Sequence, residues 1–270
     1  MNSHRHHPPP PAPGDVVPGH ALQWLADGWR LFIKAPGVWA IQALILFVIL
    51  TALTFLPFLG WAAAPIALPV LVGGMLAGAQ ALDRGQTLRV DHLFEGIRRH
   101  AGNLLLVGVF HLLGALLAAL IAAAIGGSAV LTGMIVGAVP GAGVAAGGMM
   151  LGVLVFTVLW ALLMMALWFA PALVMLHDVA PLDAMKLSAR ACLHNLLAFL
   201  VLATLLYVLV WVAMIPAGLG MLVLIPVIAG ALYAAWRETF APALLALSSP
   251  DAVTADEPAT PPPGDVPPQT

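Results

Sequence analysis

The sequence predicts an all-α integral membrane protein with six transmembrane helices. Of its 270 residues, 62% are hydrophobic and 8% are charged, whereas an average soluble domain is about 45–50% apolar and about 25% charged. The mean hydropathy is +1.02. The charged residues, 10 basic and 12 acidic, are too few to coat a water-soluble surface, so we expect apolar side chains to face lipid.

Three stretches without Asp, Glu, Lys or Arg define the spans, at 35–82, 100–177 and 191–236. Because a span needs about 20 apolar residues, each stretch has room for two. Leu56–Gly60 and Ile215–Gly218 supply the Pro and Gly expected where a helical hairpin turns. The predicted spans are about 36–57, 61–82, 103–125, 151–176, 195–215 and 219–238.

These spans form one membrane domain, 19–247, between two tails. The N-terminal tail, 1–18, is rich in Pro and His, and the C-terminal tail, 248–270, is rich in Pro. Neither contains enough apolar residues to offset the entropy lost on ordering. We therefore predict that both tails are disordered.

The segment 126–150 admits three interpretations: a loop, a re-entrant segment or an additional span. It is rich in Gly and Ala, and Pro140 interrupts it. With six spans, all ten Lys and Arg residues fall on one side, whereas a seventh would place Lys186, Arg190 and Arg237 opposite the rest. Because Lys and Arg mark the cytoplasmic side, we favour six spans, with 126–150 as an extramembrane or interfacial connection and both termini in the cytoplasm.

A short amphipathic segment precedes each predicted pair of spans, which indicates an internal repeat of three units. Gly28, Gly96 and Ser188 occupy equivalent positions. Such segments are typical of helices that lie in the headgroup plane with their apolar faces towards the acyl chains. Their apolar faces consist of Leu22, Leu25, Trp29, Phe32 and Ile33 in the first, Leu93, Phe94 and Ile97 in the second, and Leu182, Met185, Ala189, Cys192 and Leu193 in the third.

The polar faces of these segments carry the candidate site residues. Basic groups near anionic lipid contribute about 1 kcal/mol each, although the same residues are also expected simply because they fix topology. The candidates for lipid or partner contact are Arg30, Lys34, Arg98, Arg99, Lys186 and Arg190.

Other functional classes have little support in the sequence. The net charge of −2 does not suggest nucleic-acid binding, and the single cysteine, Cys192, permits neither an intrachain disulfide nor a cysteine-based metal site. We predict no cofactor, no metal and no enzymatic activity. His111 is the one ionisable residue within a predicted span, and we expect it to be neutral and bonded to a backbone carbonyl.

Two stretches resemble known membrane proteins. Residues 27–39, DGWRLFIKAPGVW, are similar to the N-terminal segment of a family of uncharacterised multi-pass proteins of proteobacteria. Residues 169–195, with Pro171, Asp178, Ala184, Ser188 and Asn195, resemble both that family and the membrane domain attached to some glycerophosphodiester phosphodiesterases. The likeness covers roughly 19–240 and includes no catalytic residue.

This resemblance implies a non-enzymatic protein of the bacterial inner membrane. From the residues themselves, we expect contacts with the lipid bilayer and with a membrane-protein partner or a second copy of the chain, made on the cytoplasmic face. The alternative is a transporter of small solutes or lipids, which would require a water-accessible cavity near His111.

Overall fold

The computed structural model describes residues 13–57 and 59–247, and all regular structure in this range is helical. A 3₁₀ turn, Val90–Phe94, precedes the fourth helix. The α-helices are α1 (His20–Lys34), α2 (Pro36–Thr54), α3 (Gly60–Asp83), α4 (Glu95–Val136), α5 (Ala138–Trp168), α6 (Ala170–His177), α7 (Pro181–His194), α8 (Leu196–Met214) and α9 (Met221–Leu247).

Six helical stretches in the described part are long and apolar enough to cross a membrane, as the sequence predicted. Three of them, α2, α3 and α8, begin and end within three residues of their predicted bounds. Two others are longer than predicted, because α4 and α5 both continue through the segment that we expected to connect them. The chain is therefore a multi-pass helical membrane protein.

The segment 126–150 completes the two arms of one hairpin, and our expectation of a separate connection was wrong. The arms meet at Gly137, whose φ of 107° favours glycine. Close to this turn, Gly133 and Gly141 lie so near each other that a Cβ on either would collide with the other's backbone. Small residues that permit such close approach are typical of helix pairs in lipid, so the glycines serve this hairpin.

The α4–α5 hairpin extends well beyond the turn that joins α2 and α3. Helix α4 crosses α3 where a Cβ on Gly108 would come within 2.6 Å of the Ile66 backbone. From this crossing α4 continues 28 residues to Val136, about 42 Å at 1.5 Å per residue. Helix α3 runs only six residues back to Gly60, about 9 Å. Much of the hairpin therefore contacts no other described element.

The three repeat units pack in a cyclic order. Helix α1 of the first unit packs on α9 of the third, the start of α4 packs on α3, and α7 packs on α5 and α6. Each amphipathic segment therefore contacts the second span of the preceding unit. Gly28 is essential to the first contact, because a Cβ there would collide with the backbone of Val227 and Ala231. Gly96 meets the Val70 carbonyl in the same way.

Ser188, at the equivalent position of the third unit, makes this contact with its hydroxyl group. Its Oγ donates to the Met165 carbonyl at 2.6 Å and accepts from the Phe169 amide at 2.9 Å. These two backbone groups are four residues apart, the spacing of an α-helical hydrogen bond. A hydroxyl that inserts into this ladder kinks a helix, and Pro171, which lacks an amide N–H, stands just after the break. Both account for the break between α5 and α6.

A further repeat connects α3 and α9. Residues 69–74 read PVLVGG and residues 226–231 read PVIAGA. Val70 and Val227, at matching positions, are the residues whose carbonyls meet Gly96 and Gly28. The Pro-Val-x-x-Gly pattern therefore identifies the surface of each span that receives an amphipathic segment.

The amphipathic helices have two apolar faces rather than the single lipid-facing stripe that we predicted. In α1, Ala21, Trp24 and Leu31 are buried, and Trp24 stacks on Phe199. Apolar side chains also remain exposed on α1 and α7: Leu22, Trp29, Ile33, Leu182 and Leu193.

The predicted disorder of the tails concerns mainly residues outside the described range. Residues 1–12 and 248–270 lie outside it. Residues 13–18 are described, and backbone groups at Gly14 and Val16 make hydrogen bonds to α9 and to the residue before α8. This part of the predicted tail is bound to the helical domain.

Candidate functional site

Interactions between charged residues hold the ends of several helices together. Arg237 of α9 donates to both carboxylate oxygens of Asp83, the last residue of α3, at 2.8 Å. The Tyr233 hydroxyl also donates to Asp83, at 3.0 Å. Lys34, the last residue of α1, donates to the Leu82 carbonyl at 3.4 Å, which joins the ends of α1 and α3.

Three His–carboxylate pairs join further elements at this end. His20 of α1 pairs with Glu238 of α9, which also accepts a hydrogen bond from Trp24 Nε1 at 2.6 Å. His100 lies at the kink in α4, 3.3 Å from Asp178 at the end of α6. His194 of α7 pairs with Asp15 at 2.6 Å. The charged groups of the described residues thus form one continuous end of the bundle, which we call the charged end.

The six predicted basic residues all lie at the charged end, but in three separate clusters. Four of them form ion pairs within their own segment: Arg30 with Asp27, Arg98 with Asp91 and Glu95, Arg99 with Glu95, and Lys186 with Asp183. Lys34 has the helix-end contact described above. These pairs are exposed and local, so each contributes little to stability.

Arg190 is different from the other five. It is exposed on α7, and among the described residues it has neither an ion pair nor a side-chain hydrogen bond. The described part of the chain contains nine Lys and Arg residues and eight Asp and Glu residues. The charged end is therefore nearly neutral overall, and the attraction of an anionic surface depends on local groups such as Arg190.

Exposed apolar side chains lie beside these cations. On α1, Trp29 and Ile33 are about half exposed and are adjacent in sequence to Arg30 and Lys34. On α7, Leu182 and Leu193 flank the segment that contains Lys186 and Arg190. A basic group next to an exposed apolar stripe is the combination by which a helix lies in a membrane interface.

The sequence analysis missed the acidic half of the site. Asp83, Glu238 and Asp178 make contacts between elements, whereas the predicted cations mostly pair within one. The signal was present in the sequence, because each of these carboxylates stands at the end of a charge-free stretch or one residue after Arg237. A carboxylate at a span end has little to pair with except the cations of neighbouring units.

His111 does not make the contact that we expected. Its side chain is buried, and Nδ1 has no hydrogen-bond partner among the described residues. The ring lies edge-on to Trp160, with centroids 5.8 Å apart. Two nearby cavities of about 420 and 260 Å³ lie between α4 and α5, and glycine and apolar side chains line both of them.

Cys192 is buried in α7, and its Sγ lies 3.6 Å from the Met165 carbonyl. Burial raises the pKa of this thiol to about 12, so the reactive thiolate is scarce at neutral pH. No cluster of three His, Cys, Asp or Glu residues in the described ranges has the arrangement to hold a metal ion. Cys192 therefore serves the packing of α7 against α5.

The fold and its apolar spans define a multi-pass helical membrane protein with a charged end. Comparison of the chain with protein-family models, with curated proteins and with solved structures finds no match.

Proposed function

We propose that this chain is a non-enzymatic protein of the bacterial inner membrane that acts through contacts of its charged end with lipid or with a partner protein. In this arrangement the spans form three hairpins, the amphipathic segments lie at the cytoplasmic interface, and both termini are cytoplasmic. The resemblance to proteobacterial multi-pass proteins supports the choice of membrane.

One observation supports the proposal above all. Exposed cations and exposed apolar side chains occur together on α1 and α7, at the end of the bundle where all the described charges lie. Arg190 has no partner there within the described residues, so an anionic lipid headgroup or an acidic partner would give it one.

Charge reversal tests this function. We expect Arg30→Glu, Arg98→Glu and Arg190→Glu together to reduce binding of the purified protein's partners and anionic lipids, measured by mass spectrometry of material isolated from native membranes. Arg5→Glu, Arg84→Glu and Arg89→Glu, which lie outside the amphipathic segments, form a control set of equal charge change. If the wild-type protein is isolated without partner or specific lipid, or if both sets behave alike, the proposed function is wrong.

Topology is tested separately with reporter fusions. We expect fusions after residues 186 and 237 to report a cytoplasmic position, and fusions after residue 57 or 137 to report the opposite side. A periplasmic signal at residue 186 or 237 contradicts the arrangement of three hairpins.

A transporter is the alternative, and two observations favour it. The break between α5 and α6 at Phe169 and the unpartnered Nδ1 of buried His111 resemble features of transport pathways. Cysteine scanning of α4 and α5 with a water-soluble maleimide distinguishes the two functions. A transporter requires labelled positions around His111, whereas our proposed function requires none.

A further inference from the structure

The segment 13–19 has no regular secondary structure, turns at residues 18 and 19, and precedes α1 directly. It is held by Asn195, the residue between α7 and α8, and by Thr239 of α9. The contact spans most of the chain in sequence, because residues at one terminus meet residues about 180 and 220 positions later.

Asn195 binds the backbone of this segment in the manner of a neighbouring strand. Its Oδ1 accepts from the Val16 amide at 2.8 Å, and its Nδ2 donates to the Gly14 carbonyl at 3.0 Å. The Gly14 amide donates in turn to the Thr239 carbonyl at 2.9 Å. Three backbone groups within three residues are thus paired, and none of these hydrogen bonds depends on a side chain of the segment.

Two side-chain contacts give the segment its register. Asp15 pairs with His194 at 2.6 Å, and His20 pairs with Glu238. His20 is the first residue of α1, so its pair with Glu238 fixes where the segment joins the helix, whereas the pair of Asp15 with His194 lies within the segment. The backbone contacts account for affinity and the Asp15–His194 pair for specificity, which is how short peptides are bound by many domains.

The segment lies on the surface rather than in the core. Asp15 is 95% exposed at its side chain, and residues 13–19 are a mixture of exposed and half-buried positions. Segments with few buried apolar contacts are at the low end of local stability. Release of residues 13–16 would leave the helical core intact and would expose Asn195 and His194, while His20 and Trp24 of α1 keep their contacts with Glu238.

We infer that Asn195, His194 and the Thr239 carbonyl form a peptide-binding cleft, and that residues 14–16 are its ligand within the same chain. The cleft accepts a short peptide with a carboxylate at the position between its two backbone contacts. Any peptide with this pattern competes with the chain's own segment. This inference is independent of the lipid contacts proposed above.

The experiment weakens the binding of the chain's own segment by mutation and adds the same segment as a free peptide. Val16→Pro removes the amide that donates to Asn195, whereas Val17→Pro changes a neighbouring residue whose amide makes no hydrogen bond among the described contacts. The probe is a fluorescent peptide of residues 11–20. We expect saturable binding to the full-length Val16→Pro protein, at least about tenfold tighter than to the Val17→Pro protein.

Two further measurements define the result. Adding Asn195→Ala to Val16→Pro should abolish binding of the peptide. In a Cys192→Ala background, a short bifunctional thiol reagent should cross-link Asp15→Cys to His194→Cys within one chain, and more slowly when Val16→Pro is present. The cleft is excluded if the peptide binds neither protein, or both equally. A cross-link that forms between two chains would instead assign the segment to a second copy and overturn the assignment within one chain.

Discussion

At the scale of single residues, the charged end depends on a few carboxylates that serve more than one element. Asp83 accepts hydrogen bonds from Tyr233 and Arg237, and Glu238 from Trp24 and His20. Cations such as Arg30 and Lys186 pair only within their own helix. The acidic residues therefore contribute more to the tertiary structure than the basic residues that attract attention in the sequence.

Asp83 and Asp183 offer a matched comparison of these two kinds of carboxylate. We expect Asp83→Asn to lower the free energy of unfolding by about 1–3 kcal/mol, because hydrogen bonds to a charged acceptor join two helices there. Asp183→Asn should change it by less than about 0.5 kcal/mol, since it breaks one exposed pair within α7. Thermal unfolding in detergent measures both, and equal effects would contradict the distinction.

Cys192 gives a second prediction at this scale. The pKa of its thiol is raised to about 12 by burial, so we expect no maleimide labelling of the folded protein at pH 8 and full labelling after denaturation. Cys192→Ala with Leu193→Cys places a thiol at the next, half-exposed position and should label at once. Fast labelling of wild-type Cys192 would show that α7 is not packed as described.

The raised pKa of the Cys192 thiol also predicts how the stability of the protein varies with pH. A thiol whose pKa is higher in the folded than in the unfolded state favours folding while it is protonated. Its contribution is complete below about pH 9, the value for the unfolded chain, and is lost as the pH rises towards about 12. Cys192→Ala should therefore show a smaller loss of stability between pH 9 and 11 than the wild type, measured by thermal unfolding.

At the scale of the elements, each predicted amphipathic segment packs against a helix of another predicted unit: α1 against α9, the start of α4 against α3, and α7 against α5 and α6. Gly28, Gly96 and Ser188 lie where each segment crosses a span of the preceding unit. The sequence showed that these positions correspond, but not what they contact, because the partner spans belong to different units and are distant in the chain.

Substitutions of Gly28 and Gly37 test the packing of α1 against α9. We expect Gly28→Leu to separate α1 from α9 and to destabilise the protein by several kcal/mol, since its side chain would meet the backbone of Val227 and Ala231. A Cβ on Gly37 would meet no other atom within 4 Å, and Gly37→Leu should be neutral or slightly stabilising. Unfolding in detergent provides the measurement, and a tolerated Gly28→Leu would contradict the packing of α1.

The helices themselves were largely predictable from the sequence, whereas their ends and breaks were less so. Runs without charge located the spans, since length and hydropathy are local properties. Pro171 indicates a break in the fourth span, but the contact of the Ser188 hydroxyl with this break comes from another helix and could not be foreseen. The lengths of α4 and α5 were missed because one-sided Lys and Arg residues argue against a seventh span but do not show whether residues 126–150 lengthen the two helices beside them. Closely packed helices in lipid favour small residues such as those of this segment.

At the scale of the whole molecule, the order of the Lys and Arg residues in the chain predicted where they gather, whereas the cleft was not predicted. One-sided Lys and Arg residues located the charged end, which depends only on their order in the chain. The contacts of Asn195, Glu238 and Asp15 join residues from opposite ends of the sequence. No periodicity or motif indicates such a pairing, and the Pro-rich composition of the N-terminal tail suggested disorder instead.

The far part of the α4–α5 hairpin should behave independently of the charged end. We expect Gly133→Leu to separate the arms near Gly137, because the new side chain would meet the Gly141 backbone. Gly147→Leu, at an open position, is the control. Protease sensitivity near the turn should rise only for Gly133→Leu, while Cys192 remains protected in both variants. Exposure of Cys192 by Gly133→Leu would show that the two parts are coupled.

The length of the α4–α5 hairpin has a consequence for the thickness of the surrounding membrane. From its crossing with α3, α4 alone extends for about 42 Å, whereas the hydrocarbon layer of a bilayer is about 30 Å thick. A bilayer that covers the apolar side chains of this hairpin must thicken locally, or the hairpin must tilt, and either response costs energy through hydrophobic mismatch. Because α2 and α8 have 19 residues each, about 28 Å, this demand falls mainly on the α4–α5 side of the molecule. The protein would then favour thicker regions of membrane and approach its neighbours preferentially through that flank.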